Sequence, residues 1–217
     1  TVYSGAVRPS EHYDFACSLH SLPMIFRSTE STIPEKKSYL SPSPKLVRKW
    51  KRFLDKSSDK NQYRVGIVWA GNPKHHNDHN RSIPFRLLKK LLDITPLTWV
   101  SLQTGDRSQD LHQTYRIVLD VSKELRDYNE TAAMVQNLDL VITVDSSVAH
   151  LAGALGKPTW VLLPFAPDWR WQLDREDCPW YESVRLFRQE KVGNWMDVLL
   201  RVRSELQNLI ANREKPI

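Results

Sequence analysis

Apolar residues change their spacing along this 217-residue chain, and the change falls near residue 64. Upstream of it, Leu46, Trp50, Phe53 and Leu54 recur every three to four residues, the period of an amphipathic helix. Ser43-Pro44 places an N-cap and a proline at the first helical position. The pattern predicts a helix over 44–56, followed by a polar linker over 57–62. Residues 1–42 hold short apolar pieces broken by Ser, Pro and Thr, and predict no complete domain. Downstream, short apolar runs alternate with helical patterns. Strands are expected at 65–69, 97–102, 115–119, 140–144 and 159–163. Helices are expected at 84–92, from 129 or 130 to about 137, at 146–155 and at 195–212. Gly156 and Pro158 stop the third of these helices. The segment 71–81 reads as a polar loop, because its Asn and Pro content opposes a helix.

Strands alternating with helices predict βαβ units, hence an α/β fold: a Rossmann-like parallel sheet with helices on both faces. In such sheets ligands bind beyond the carboxyl ends of the strands. The loops after Trp69, Leu102, Val144 and Leu163 are therefore where chemistry is expected. The expected division is 1–60 as a domain tail with the linker helix, and 61–217 as the Rossmann-like domain.

Three segments at those strand ends carry candidate chemistry. In Val144-Asp-Ser-Ser-Val-Ala-His150 a buried strand runs directly into a helix. The first N–H groups of a helix lack partners and its dipole is positive there, so the turn suits a diphosphate. Ser146 and Ser147 add hydroxyls, and His150 lies one turn in. Read from these residues alone, the segment is either an anion site or a structural helix capped by Asp145 and Ser146. In Trp69-Ala-Gly-Asn-Pro-Lys-His-His-Asn-Asp-His-Asn-Arg-Ser82, Asn72, Lys74 and Arg81 are the candidate contacts, the two cations toward phosphate. His75, His76 and His79 raise a metal reading, but no Cys or Glu completes a tetrahedral set, and no metal is expected. In Pro167-Asp-Trp-Arg-Trp171, Arg170 can meet a phosphate or sugar, whereas Trp169 and Trp171 can equally be core.

Composition and absences narrow the picture. The chain contains no Gly-x-Gly-x-x-Gly, no Gly-x-x-x-x-Gly-Lys-Ser/Thr and no Asp-x-Asp. Dehydrogenase, P-loop nucleotidase and carboxylate-held metal readings lose their support. Two cysteines, Cys17 and Cys178, fit a reducing cytoplasm rather than a disulfide scaffold. No apolar run is long enough to span a bilayer. The net charge of +6 is concentrated at Lys45, Arg48, Lys49, Lys51, Arg52 and Lys56. This run is either a solvated helix face or a surface for an acidic partner; aromatics do not interleave with it as they do where bases stack, and no nucleic acid is expected.

Five stretches taken in order, 65–73, 81–84, 100–103, 144–158 and 167–171, resemble the C-terminal domain of bacterial glycosyltransferase family 9 proteins. These are heptosyltransferase relatives often fused to tetratricopeptide repeats, more distantly similar to protein O-linked N-acetylglucosamine transferases. The resemblance covers residues 12–208. It implies a GT-B fold whose C-terminal half binds a nucleotide-sugar donor and transfers the sugar, with inversion and without metal or other cofactor, to a glycan, lipid-linked or protein acceptor. It implies catalytic roles for Asp145 (toward the donor sugar), Arg81 (at a basic position that is commonly Lys) and His150. It implies donor contacts at Asn72, Lys74, Gln103 beside the base, Ser146, Ser147, Val148 and Arg170. Ser146 departs from the family's usual Thr but keeps the hydroxyl. The general base is expected from an N-terminal domain mostly absent from these residues, so the fragment is expected to bind donor and turn over poorly. The alternative is a non-catalytic nucleotide- or sugar-binding module of a repeat protein.

Overall fold

Leu140–Val144 and Thr159–Leu163 are buried at every position, as strands covered on both faces must be. A computed structural model, which describes residues 14–33, 38–113 and 118–213, places them centrally in a six-stranded sheet. Its strands are β1 (Tyr63–Val68), β2 (Leu97–Ser101), β3 (Val118–Asp120), β4 (Leu140–Val144), β5 (Thr159–Leu163) and β6 (Val184–Arg188), in the order β3-β2-β1-β4-β5-β6. Every pairing is parallel. The expected Rossmann-like sheet is thus present. After β3 the chain crosses back to lay β4 beside β1, which makes the β1/β4 boundary the topological switch point.

The chain divides into two compact units, Thr1–Pro34 and Glu35–Ile217. The first holds the four-residue helix α1 (Leu22–Ile25) between two 3-10 turns. The second holds the sheet and six helices: α2 (Pro44–Ser57), α3 (Asp78–Arg81), α4 (Phe85–Leu92), α5 (Tyr128–Gln136), α6 (Ser147–Ala154) and α7 (Trp195–Arg213).

Alternation along each strand sends side chains to opposite faces. Val65, Ile67, Leu140, Ile142, Trp160 and Leu162 pack with α4 and α7, where Leu88, Leu91, Trp195, Val198, Leu199 and Leu206 are buried. Val68, Val100 and Val141 pack with α2, α5 and α6 on the other face. There Trp50 and Leu54 of α2 lie in the core beside Ala133, Met134 and Ala152. The sequence puts a boundary between residues 60 and 61, whereas contacts within the structure group everything from Glu35 onward. Tyr39 and Leu40 N–H groups both donate to the Ala154 carbonyl at the end of α6, at 3.0 and 3.1 Å.

Several elements differ from expectation. Ser43 occupies the N-cap of α2 but makes no capping bond; instead its N–H donates to Asn129 Oδ1 at 3.1 Å, so tertiary contact replaces the local cap. The strand expected at 115–119 is observed at Val118–Asp120, and 115–117 lie outside the described residues. The loop at 71–81 ends in the one-turn α3, where Asp78 bonds locally to Arg81 and Ser82, three and four residues on. Strand β6 was not expected: Val-Arg-Leu-Phe-Arg alternates only briefly, and it becomes a strand by pairing with β5. Gly156 ends α6 as expected, at φ +67°.

Because Leu54 is fully buried on α2, Leu54→Ala should cost about 2–5 kcal/mol of unfolding free energy. Urea denaturation of both proteins measures this; a loss below about 1 kcal/mol would mean α2 is not part of the cooperative core.

Candidate functional site

The switch point positions the loop after β1 opposite the start of α6. Between them lies a cleft of about 440 Å³ lined by Asn72, His75, His76, Asn77, Arg81, Asp145, Ser146, Ser147, His150, Pro164, Pro167, Asp168 and Arg170. Residues from three of the four loops named by the sequence reading therefore meet in one concavity.

The β1 side is built around a buried carboxylate. Trp69 and Ala70 N–H groups donate to Gln103 Oε1 at 3.2 and 2.9 Å, which ties the end of β1 to the loop after β2. Gly71 N–H donates to Ser82 Oγ at 3.0 Å, and Ser82 Oγ–H donates to Asp78 Oδ1 at 3.0 Å. Arg81 Nε lies 3.4 Å from the same oxygen. Asp78 is only 5% exposed, so the carboxylate is held rigidly and its charge is offset by Arg81. The guanidinium lies directly over Gly71: a Cβ built there would fall 2.6 Å from Arg81 Nη2 and 2.6 Å from Asp78 Oδ1. A larger residue there would have to push the arginine or the carboxylate aside.

The β4 side begins at the end of a fully buried strand. Ser146 is the N-cap of α6, its Oγ accepting from Val148 N–H at 3.3 Å. Thr143 Oγ–H donates to the Val144 carbonyl at 2.9 Å, so the 3.0 Å contact between Thr143 and Ser146 is donated by Ser146. The Ser146 hydroxyl is therefore engaged locally. Ser147 is exposed, and its N–H, at the first helical position, has no intrahelical acceptor. Among the described residues no hydrogen bond or ion pair engages the Asp145 carboxylate.

Arg170 completes the rim. Its Nη1 donates to Asp168 Oδ1 at 2.7 Å and its guanidinium lies 5.1 Å from the Trp169 ring centroid. The pair is half-exposed and contributes little to stability. His150 stacks on Trp171 with centroids 5.0 Å apart and planes 18° apart. Burial holds its pKa below the ordinary histidine value, only partly opposed by the Asp145 charge. Burial pushes the Tyr181 phenol well above its ordinary value.

Residues 125–189 match the family described as Glycosyltransferase family 9 (heptosyltransferase), a span that includes β4, α6, β5 and the Asp168–Trp171 loop. Over these residues the chain is similar to that family. The domain is 28% identical over 208 residues to Protein FlbA of Caulobacter vibrioides, covering 93% of this chain but spanning about a third (34%) of that relative. Among solved structures it is similar to the E. coli ADP-heptose lps heptosyltransferase II, with TM-score 0.58, 17% identity, 87% of this chain and 58% of that one. It is also similar to a family 9 glycosyl transferase from Veillonella parvula, with TM-score 0.62, 12% identity, 82% of this chain and 55% of that one. These two similarities support the Rossmann-like fold that the sheet order displays.

Of the residues that the sequence of this family 9-like domain singles out, Asn72, Arg81, Asp145, Ser146, Ser147, His150 and Arg170 line the cleft. Lys74 does not: it is exposed, and only its N–H is tied, to Asn72 Oδ1 at 3.0 Å. Gln103 is buried, its Oε1 spent on the β1 end and its Nε2 on the Thr104 carbonyl at 3.2 Å. Val148 is buried with its N–H capped by Ser146. The two tryptophans of the 167–171 loop divide: Trp171 is fully buried and Trp169 is 69% exposed. His75 and His76 stack on each other, and no group of three metal-ligating side chains forms among the described residues. In the basic helix, Lys49 pairs with Glu130 and Lys51 with Asp55. Sequence reasoning passed over Asp78, Tyr181 and Gly71. Asp78 lies three residues before Arg81, the spacing of neighbours on one helical turn, but that signal was lost when the segment was read as loop.

Two outcomes follow for the family 9-like domain. Gly71→Ala should displace Arg81 and cost about 1–3 kcal/mol in thermal or urea unfolding; unchanged stability would show that the arginine does not rest on Gly71. The depressed His150 pKa means that the unfolded chain binds its proton first as pH falls. The stability this group confers is present above its unfolded value of 6.5 and is lost as pH falls toward the folded value. The stability difference between wild type and His150→Gln should therefore shrink between about pH 7.5 and about pH 5.5; a constant difference would contradict the assignment.

Proposed function

We propose that this domain binds the diphosphate of a nucleotide sugar in the β1/β4 cleft and takes part in transferring the sugar to an acceptor hydroxyl. The observation that carries the reading is the pairing of Arg81, fixed over Gly71, with the N-terminus of α6 across one concavity at the switch point. A guanidinium binds phosphate bidentately, and free helical N–H groups with the helix dipole favour an anion. Arg170 adds a second cation at the rim.

In the reaction an acceptor oxygen forms a bond to the anomeric carbon while the bond from that carbon to the phosphate oxygen breaks, with inversion. The acceptor hydroxyl gives its proton to a general base, which this reading assigns to the N-terminal half of a GT-B fold. Negative charge accumulates on the leaving diphosphate. Arg81, Arg170, the Ser147 hydroxyl and the first N–H groups of α6 would stabilise it without reorganising, so that positive side chains take the part a metal ion takes elsewhere. The unpaired Asp145 carboxylate accepts hydrogen bonds from sugar hydroxyls. An acceptor glycan, lipid-linked saccharide or protein then carries the sugar. The reading further implies a cytoplasmic protein. Among the described residues no helix is long and apolar enough to cross a membrane.

Thermal shift with a panel of nucleoside diphosphates and their sugars tests the donor site. The E. coli neighbour is titled an ADP-heptose heptosyltransferase, which makes ADP and ADP-linked sugars the first probes. A ligand at about one hundred times its Kd should stabilise by about 2.7 kcal/mol, roughly 5–10 °C for a domain of this size. Arg81→Ala should weaken binding about 10–100-fold through loss of a charged hydrogen-bonding group. If no nucleotide raises the melting temperature, the donor-site reading fails. Tight binding with no sugar transfer or hydrolysis would instead favour a non-catalytic binding module.

A further inference from the structure

His150 is held by two aromatic side chains, Tyr181 and Trp171. Its Nδ1 lies 3.2 Å from the Tyr181 hydroxyl. Its ring stacks on the fully buried Trp171. The Tyr181 ring in turn rests on α6 at Gly153, where a Cβ would fall 2.5 Å from Tyr181 Cγ. Gly153 is one helical turn beyond His150, so the tyrosine packs along the same helix face that presents the imidazole.

One proton must decide the direction of the Tyr181–His150 bond. A neutral imidazole has one N–H and one bare nitrogen, and the partner of one nitrogen sets the state of the other. A phenol O–H is the more acidic donor and an imidazole nitrogen the more basic acceptor. The favoured direction is therefore Tyr181 O–H to Nδ1. The proton of His150 then resides on Nε2, the nitrogen on the opposite ring edge, which no hydrogen bond engages among the described residues.

We infer that Tyr181 is a positioning residue that locks His150 as the Nε2–H tautomer, so that the imidazole presents a neutral hydrogen-bond donor to an oxygen of the cleft ligand. His150 in this state stabilises an oxygen acceptor, a phosphate or sugar oxygen, and has no bare nitrogen toward the cleft with which to remove a proton from an acceptor hydroxyl. The assignment deepens the nucleotide-sugar reading and rests on it only for the identity of that oxygen. The charged groups that act on the ring are Asp145, Arg170 and Asp168. Burial keeps the ring neutral despite the two carboxylates.

Long-range 1H–15N NMR of the uniformly labelled chain, near neutral pH, reads the tautomer directly, with His150→Gln identifying the resonances. The wild type should show a bare, pyridine-type Nδ1 and a protonated Nε2. Tyr181→Phe should move the pair toward a mixture of tautomers. Gly153→Ala, which displaces the tyrosine while leaving its hydroxyl, should do the same. With ADP as probe, Tyr181→Phe should weaken binding about fivefold, the size of one neutral hydrogen bond, with an unchanged circular dichroism spectrum. A wild-type Nδ1–H tautomer, or a tautomer unmoved by both variants, overturns the assignment. If the tautomer and its response are as described but no nucleoside diphosphate binds, the lock stands and the donor-site reading falls.

Discussion

The constraint on which the domain depends is that six parallel strands all release their carboxyl ends at one edge. A parallel sheet must be covered on both faces, so each crossover is a helix or long connection that starts at that edge. Loops and helix N-termini converge there whatever the side chains are. The return of the chain from β3 to β4 opens the crevice between β1 and β4, because the two flanking connections leave toward opposite faces. Arg81 belongs to one of those connections and Asp145 to the other. Their meeting in one cleft follows from strand order alone.

Within the cleft, positive charge is fixed by two different means. Arg81 is half of a partly buried pair with Asp78, which is bonded to Ser82, which receives the Gly71 N–H. Removing any member leaves another polar group buried without its partner, an expensive outcome. Arg170 is held by a half-exposed carboxylate and a tryptophan face, and solvent screens much of that attraction. Under the proposed function the first arginine is the anchor for the anion and the second an adjustable rim. Asp145, unpaired, gives the same cleft a negative end, so a ligand that is both anionic and rich in hydroxyls fits it better than a simple anion.

The imidazole between these charges is supported by aromatic packing rather than by a carboxylate. Trp171, Tyr181 and the small face of α6 at Gly153 enclose it, and burial outweighs the nearby negative charges in setting its protonation. The loop that delivers Trp171 to the core is the same loop that leaves Trp169 and Arg170 at the surface. One short segment thus provides both the floor under His150 and the rim above the cleft.

Much of this was legible in the chain itself. The apolar runs at 65–69, 140–144 and 159–163, the helical spacing of Trp50, Leu54, Trp195 and Val202, and the stop at Gly156 are local signals, and local periodicity is what reports a buried face. They determined the α/β class, the parallel sheet and the loops at which a site would form. The strand β6, the helix α3 and the uses of Gln103 and Val148 were decided only in three dimensions. Val184–Arg188 is too short to declare a face until β5 offers it a ladder of hydrogen bonds. Gln103 has the chemistry of a ligand contact, yet two N–H groups from β1 claim its oxygen. Asp78 matters because the local turn it forms with Arg81 and Ser82 is carried against Gly71 by folding, and Tyr181 because folding brings His150 and Gly153 to it. Sequence specifies which groups exist and which face is apolar, but a polar side chain can satisfy either the protein or a ligand, and only the tertiary arrangement decides which partner it has.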